Sequence, residues 1–345
     1  MENVKAIGLL SGGLDSTLAC ALMKRERIEV LGLHCSTGFC LIDYRRKIMR
    51  KQDQDKDLRN AALISAAQID IPIEIIDISQ EYLSIVFKPK HGYGSSINPC
   101  IDCRILMLKT AKIYAEKCDA KFVFTGEVLG QRPMSQHLGT MKLIEKESGL
   151  KGYLLRPLSA KLLDSTVPEQ SGWVNRDHLY SIEGRTRKEQ MKLAEEFNIK
   201  DYPTPAGGCC VLVDKNYAKK FKDLITFSQR DTITMEQLTL LKVGRHLRVD
   251  HQLKVIVGRE EAENNFLNHY VEKYHLFKSS GFPGASVLAD GLVDEIHETI
   301  IASIAAYYSD ARTHKSVEIM HSFNKDVRLI TAAPASENTI LKMRI

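Results

Sequence analysis

The 345-residue chain lacks any apolar run approaching the ~20 residues that a membrane-spanning helix needs. Its N-terminus has no charged-then-apolar signal pattern, so the expectation is a cytoplasmic protein with no membrane partner. It also lacks a marked charge imbalance. The formal net charge is +5, which permits a polyanionic partner without demanding one, and neither half of the chain reads as a basic domain. One local exception is YRRKIMRKQDQDKDLR (residues 44–59), either a solvated helix face or a phosphate-backbone contact. Internal repeats and low-complexity segments are absent. Eight cysteines are present, but an intracellular chain of this kind does not carry a disulfide framework.

What remains is ordinary globular composition, 44% hydrophobic and 26% charged, long enough for two domains. Strand patterns at residues 4–10, 28–34, 71–78 and 121–127 alternate with helical patterns at 16–24, 58–68 and 104–117. That alternation predicts an α/β fold with a parallel sheet, whose ligands gather at the carboxyl ends of the strands. A further helix is expected over 184–199. The character of the chain changes around 215–240. Beyond it, two strands leading into a helix, and another helix near 294–308, predict a smaller α+β domain. The expected division is 1–214 and 215–345.

The chemistry begins at LLSGGLDSTLA (residues 9–19). A mononucleotide-binding P-loop needs a lysine after its glycines, and a dinucleotide fingerprint needs a third glycine; this turn has neither. Ser11, Gly12, Gly13 and Ser16 instead offer backbone N–H groups and hydroxyls to a pyrophosphate, and the Asp15 carboxylate can hold Mg²⁺. His34, ending the second strand, reads as a hydrogen-bonded wall of a nucleotide pocket, and Gly126 lies at the same edge. Cys100 and Cys103 form a Cys-x-x-Cys pair, and Cys209 and Cys210 are adjacent. The pair suits iron–sulfur ligation, persulfide chemistry or a zinc half-site, in that order. Cys20, Cys35, Cys40 and Cys118 read as small buried apolar residues. Arg132, Ser135 and Gln136 fit either a polar contact with a ligand or a capping turn.

At SGGLDS the chain resembles the PP-loop ATP pyrophosphatases. Together with NPCIDCR, GEVLGQRPMSQ and TPAGGCC, it is similar to the tRNA thiouridine synthases of that group, the 4-thiouridine synthases and 2-thiouridylases. LLKVGRHLRV and VIVGREEAEN are similar to a small RNA-associated domain. The resemblance implies an adenine nucleotide alpha hydrolase-like fold and ATP-dependent replacement of a tRNA uridine oxygen by sulfur. It implies ATP and Mg²⁺ at Ser11–Ser16, and a 4Fe–4S cluster on Cys100, Cys103 and Cys209, with Asp15 and these cysteines as the catalytic set. Tolerance of an apolar residue at Cys210 comes from the same source. The implied partners are tRNA and a sulfur donor, either sulfide or a persulfide carrier; a homodimer is compatible with it. Arg245, His246, Arg248 and Arg259 are expected either to touch RNA phosphates or to form a solvated surface of a packing domain. The RNA-binding module and rhodanese tail of many 4-thiouridine synthases are missing. A small-molecule PP-loop ligase with structural zinc, such as a 7-deazaguanine nitrile synthase, and a non-catalytic RNA-binding protein are the alternatives.

Overall fold

In the computed structural model the described residues are 4–40, 60–202, 210–229 and 232–345. They group into two compact units, one of residues 4–40 and 60–210, the other drawn from 211–345. The basic stretch at 44–59 lies outside the described residues.

The first unit runs β1 (Lys5–Leu9), α1 (Leu14–Arg25), β2 (Glu29–Ser36), α2 (Ala61–Gln68), β3 (Ile73–Asp77), α3 (Ser79–Phe87) and α4 (Cys100–Lys117). It continues through β4 (Phe122–Thr125), α5 (Leu138–Glu147), β5 (Leu154–Leu155), α6 (Val167–Gln170) and α7 (Lys188–Glu196). All five strands are parallel, in the order β3-β2-β1-β4-β5. The central β1 is an apolar run because helices cover both its faces. On one side Leu14, Leu18 and Leu22 of α1 and Leu193 of α7 pack with Phe122 and Phe124. On the other, Ile105, Leu108 and Ala111 of α4 pack with Ile7, Leu9 and Val123. Burying each large side chain contributes roughly 1.5–3 kcal/mol, so these two layers fix the sheet.

The strand order reverses at β1. The chain leaves β1 toward β2 on one side, and β4 returns on the other. The carboxyl ends of β1 and β4 therefore open a crevice. Two expected boundaries shift. Helix α4 starts at Cys100 rather than Arg104, because Pro99 takes the cap position and its carbonyl accepts from Cys103 N at 2.8 Å. Helix α7 starts at Lys188, with Arg187 at its N-cap.

The second unit holds α8 (Lys215–Phe227), α9 (Met235–Leu240), β6 (Arg245–Arg248), β7 (Leu253–Val257), α10 (Glu261–Asn268), β8 (His275–Ser279) and β9 (Val287–Gly291). It ends with α11 (Glu295–Tyr307), β10 (Val317–Phe323), β11 (Asp326–Ala332) and α12 (Glu337–Met343). Its six-stranded sheet has the order β11-β10-β8-β9-β7-β6, with antiparallel neighbours throughout. Ile301, Ile304 and Ala305 of α11 pack on Val255, Phe277 and Val287, forming an α+β core. Among the described residues no helix is long and apolar enough to cross a membrane.

Candidate active site

The turn after β1 is built from its own side chains. Ser16 Oγ donates to Gly13 O at 2.8 Å, accepts from Ser11 N at 3.2 Å and meets Ser11 Oγ at 3.1 Å. Gly13 caps α1 without any side-chain hydrogen bond, so the first N–H groups of the helix keep their capacity for an anion. Gly12 has φ +80°, and a Cβ there would fall 2.4 Å from the Ala61 carbonyl carbon. Only glycine fits. His34 Nδ1 donates to Leu10 O at 3.0 Å, which places its ring against the end of β1.

Gly126, just past β4, brings the second edge of the crevice onto the first. A Cβ on Gly126 would lie 2.3 Å from Asp15 O and 2.5 Å from Ser16 N. Backbone cannot yield as a flexible side chain can. Gly126→Ala is therefore expected to destabilise the protein by about 1–3 kcal/mol and to weaken ATP use. Thermal denaturation checks the first effect and pyrophosphate release the second; a variant as stable and active as the parent would show that the contact relaxes freely.

Asp15 is the focus of the crevice. Its Oδ2 accepts from Gln131 Nε2 at 3.2 Å and lies 3.8 Å from Arg187 Nη2. Its Oδ1 is buried with no hydrogen-bond partner, as is Arg187 Nε. Burial pushes the Asp15 pKa up, against the pull of Arg187, Gln131, Arg132 and Gln190. A desolvated carboxylate with one unsatisfied oxygen gains from a cation delivered to it. Arg187 and Gln190 were not legible as site residues, because GRTRKEQ reads like any solvated helix start, and Gln131 lies in the GEVLGQRPMSQ motif without standing out in it. Gln136, on the turn after β4, is buried, and its Oε1 likewise lacks a partner. Ser135 beside it is buried too.

Glu127 ties the crevice to the cysteine helix. It is 3% exposed. Arg104 Nε lies 3.1 Å from its Oε1, Arg156 Nε 3.1 Å from its Oε2, and Thr125 Oγ1 donates to it at 3.1 Å. Burial alone would raise its pKa; Arg104 and Arg156, with these hydrogen bonds, more than offset that and hold it below the usual carboxylate range. Breaking such a buried pair leaves an uncompensated charge, so the network fixes the register of α4 against β4.

Cys100 and Cys103 occupy the first turn of α4, both half-buried. Asn98 Nδ2 donates to Cys100 Sγ at 2.9 Å, and the helix N-terminus favours negative charge there. Two thiols one turn apart at a helix start suit either metal ligation or persulfide chemistry. Cys209, with Pro205, Gly207 and Gly208, lies outside the described residues, so the described residues supply two of the three expected ligands. Among the described residues no group of three or more His, Cys, Asp and Glu is arranged to hold a metal. Burial pushes the Cys20 thiol up to about 12. Burial does the same for Cys35, to about 12, against a lowering pull from Arg104. Cys20 fits the reading as a small buried residue, whereas Cys35, Cys40 and Cys118 are only half-buried.

Of the residues expected to touch RNA in the second unit, His246 is corrected by its burial, while the three arginines each have protein partners. His246 is buried, its Nε2 donating to Val243 O at 2.9 Å, with its pKa well below the ordinary value through burial first and the Lys220 and Lys254 charges next. Arg248 pairs with Asp223 (Nε–Oδ1 3.1 Å) and stacks on Phe227. Arg259 pairs with Glu263, and Arg245 lies over Tyr308. Period-2 placement put His246 in the core; the carboxylate for Arg248 comes from a helix 25 residues earlier, whereas Glu263 pairs with Arg259 four residues away.

Residues 4–168 match the tRNA methyl transferase HUP domain, and residues 244–344 the NFACT protein RNA binding domain. The chain is 31% identical over 317 residues to the tRNA-specific 2-thiouridylase MnmA of Petrotoga mobilis, covering 88% of this chain and 80% of that protein. It is 29% identical over 154 residues to a "Probable tRNA sulfurtransferase" of Thermococcus kodakarensis, 45% of this chain and 36% of that one. A 4-thiouridine synthetase solved with RNA and ATP is 17% identical, covers 57% of this chain and 52% of its own, and superposes with a TM-score of only 0.32, too low to add to the sequence matches. A glycine- and serine-rich turn at the switch point of a parallel sheet, a cysteine pair on the neighbouring helix and this similarity over 88% of the chain converge: the chain belongs to the tRNA thiouridylase family of PP-loop enzymes.

Proposed function

We propose that this enzyme uses ATP to adenylate a carbonyl oxygen of a tRNA uridine and then replaces that oxygen with sulfur. The observation that carries the reading is Asp15: a buried carboxylate with an orphaned oxygen, on a turn that offers N–H groups to an anion, beside an arginine with an orphaned Nε. The turn from Ser11 to Ser16 would seat the β- and γ-phosphates. Asp15 would hold Mg²⁺, which supplies charge neutralisation when bound. Arg187 and Arg132 would provide the fixed positive charge that the missing lysine of the turn does not. His34 and Gly126 would wall the nucleotide.

The uridine oxygen attacks the α-phosphorus, and pyrophosphate departs with the electron pair of the broken P–O bond. The carbon then carries an adenylate leaving group, which sulfur displaces as AMP. The uridine must leave its stack to reach the crevice, as in other enzymes that act on a base. Cys100, Cys103 and Cys209 are the residues proposed to hold a 4Fe–4S cluster, which would supply an iron open to an additional sulfur atom. Sulfide or a persulfide carrier would be the donor. Membership of a tRNA-modifying family removes the grounds for the small-molecule ligase.

Incubating the protein anaerobically with ATP, Mg²⁺, sulfide and unmodified tRNA should give tRNA-dependent AMP and a thiouridine detectable after digestion. ATP turnover indifferent to tRNA, with no thionucleoside, would overturn the proposal. The second unit is proposed to add tRNA affinity, since phosphate contacts dominate RNA binding. A chain ending near residue 215 should bind tRNA roughly tenfold more weakly, or about 1.4 kcal/mol, in a filter-binding titration. Equal binding would place the grip elsewhere.

A further inference from the structure

We propose that Cys40 and Cys210 form a reversible disulfide, a redox modification site distinct from the Cys100–Cys103 pair. The two residues face each other across an antiparallel bridge. Directly opposed residues in such a pair have Cα atoms about 4.5–5.5 Å apart and side chains on the same side. A disulfide spans Cα separations of about 4.4–6.8 Å. The bridge therefore sets the two cysteines within the reach of a disulfide. Both cysteines are reduced in the structure, and Cys40 is the more accessible, being half-buried where Cys210 is buried.

The site is held firmly. Phe39, next to Cys40, is fully buried, its N–H donates to Thr37 Oγ1 at 3.3 Å, and its ring meets Tyr82 edge-on at 5.6 Å. Cys210 directly follows Cys209 in the chain, so closing the bond anchors the backbone beside a residue proposed to handle sulfur. The chemistry balances as thiol–disulfide exchange. The Cys40 thiolate attacks a low-molecular-weight disulfide and releases one small thiol. The Cys210 thiolate then attacks Cys40 Sγ and releases the second. The two cysteines give up two protons and two electrons, and the small disulfide is reduced to two thiols.

The test treats the full-length protein with oxidised glutathione, alkylates the remaining thiols and maps non-reduced peptides by mass spectrometry. The expected result is a cross-linked pair containing Cys40 and Cys210, two hydrogens lighter than the separate peptides and cleaved by dithiothreitol. Cys40→Ser should abolish it. Dominant links among Cys100, Cys103 and Cys209, or no Cys40–Cys210 link when other thiols are oxidised, would overturn the proposal. A second arm follows tRNA thiolation. Oxidised parent protein should lose activity several-fold and regain it with reductant, while Cys40→Ser is insensitive; equal inhibition of both would overturn the regulatory role. The mass readout does not depend on thiolation, so the failure of this inference and of the proposed function are distinguishable.

Discussion

Asp15→Ala should lower tRNA-dependent pyrophosphate release on the order of 10²–10³-fold, the range seen when one preorganised electrostatic partner of a reacting centre is removed. The geometry argues for a chemical loss rather than a folding loss. Asp15 spends its Oδ2 on Gln131 and lies near Arg187, but its Oδ1 is buried with no partner. Burial raises its pKa above the ordinary carboxylate value. A group so shifted costs stability while ionised: the unfolded state holds the charge more cheaply, and the cost vanishes only as pH falls and the native carboxyl protonates. Asp15→Asn removes that charge and keeps the shape. It should therefore melt no lower than the parent at neutral pH, yet be as impaired in pyrophosphate release as the alanine variant. Parent-like release by both variants would remove Asp15 from the reaction. Impaired release with a collapsed melting temperature in Asp15→Asn would reassign it to structure.

The second large effect is expected at the cysteines. Cys100→Ala, Cys103→Ala and Cys209→Ala, each purified without oxygen, should lose bound iron, acid-labile sulfide and at least about 10²-fold of tRNA thiolation, while Cys210→Ala keeps all three. Two of these thiols begin α4, where the helix N-terminus and the Asn98 amide favour a thiolate. The Glu127–Arg104 pair, one residue beyond Cys103, locks that helix start onto the crevice edge. Adenylation should persist in the three variants, because none of these residues belongs to the phosphate turn. Loss of cluster in Cys210→Ala with retention in Cys209→Ala would mean the other member of the doublet is the ligand. Zinc in the parent protein, or thiolation with no metal at all, would replace the cluster by structural zinc or persulfide chemistry.

Local motifs were legible where one short stretch of chain makes its own structure. Ser-Gly-Gly-x-Asp-Ser announces its turn because Gly12 needs positive φ and the serines bond within five residues. The parallel α/β sheet was equally readable, since buried central strands leave uninterrupted apolar runs. The cysteine pair and its helix were placed to within one turn. In the second unit the linear pattern did not separate accessible basic residues from a buried one or show their protein partners. There Arg248 and Arg259 answer carboxylates, and His246 points into the core.

The sequence by itself determined the α/β class, the Ser-Gly-Gly-x-Asp-Ser turn, the cysteine spacing and the separate character of the C-terminal region. All of these depend on residues within a few positions of one another. Only the tertiary structure decided what surrounds Asp15 and Glu127. Gln131 reaches Asp15 from 116 positions away, and Arg156 reaches Glu127 from 29. Arg187 and Gln190 look in the sequence like any charged helix start. Their meaning comes from sheet topology, which sets the carboxyl ends of β1 and β4 side by side and strips water from the groups brought there. A linear pattern records which side chains can bear charge. Burial and long-range pairing decide which of those charges are left for a ligand.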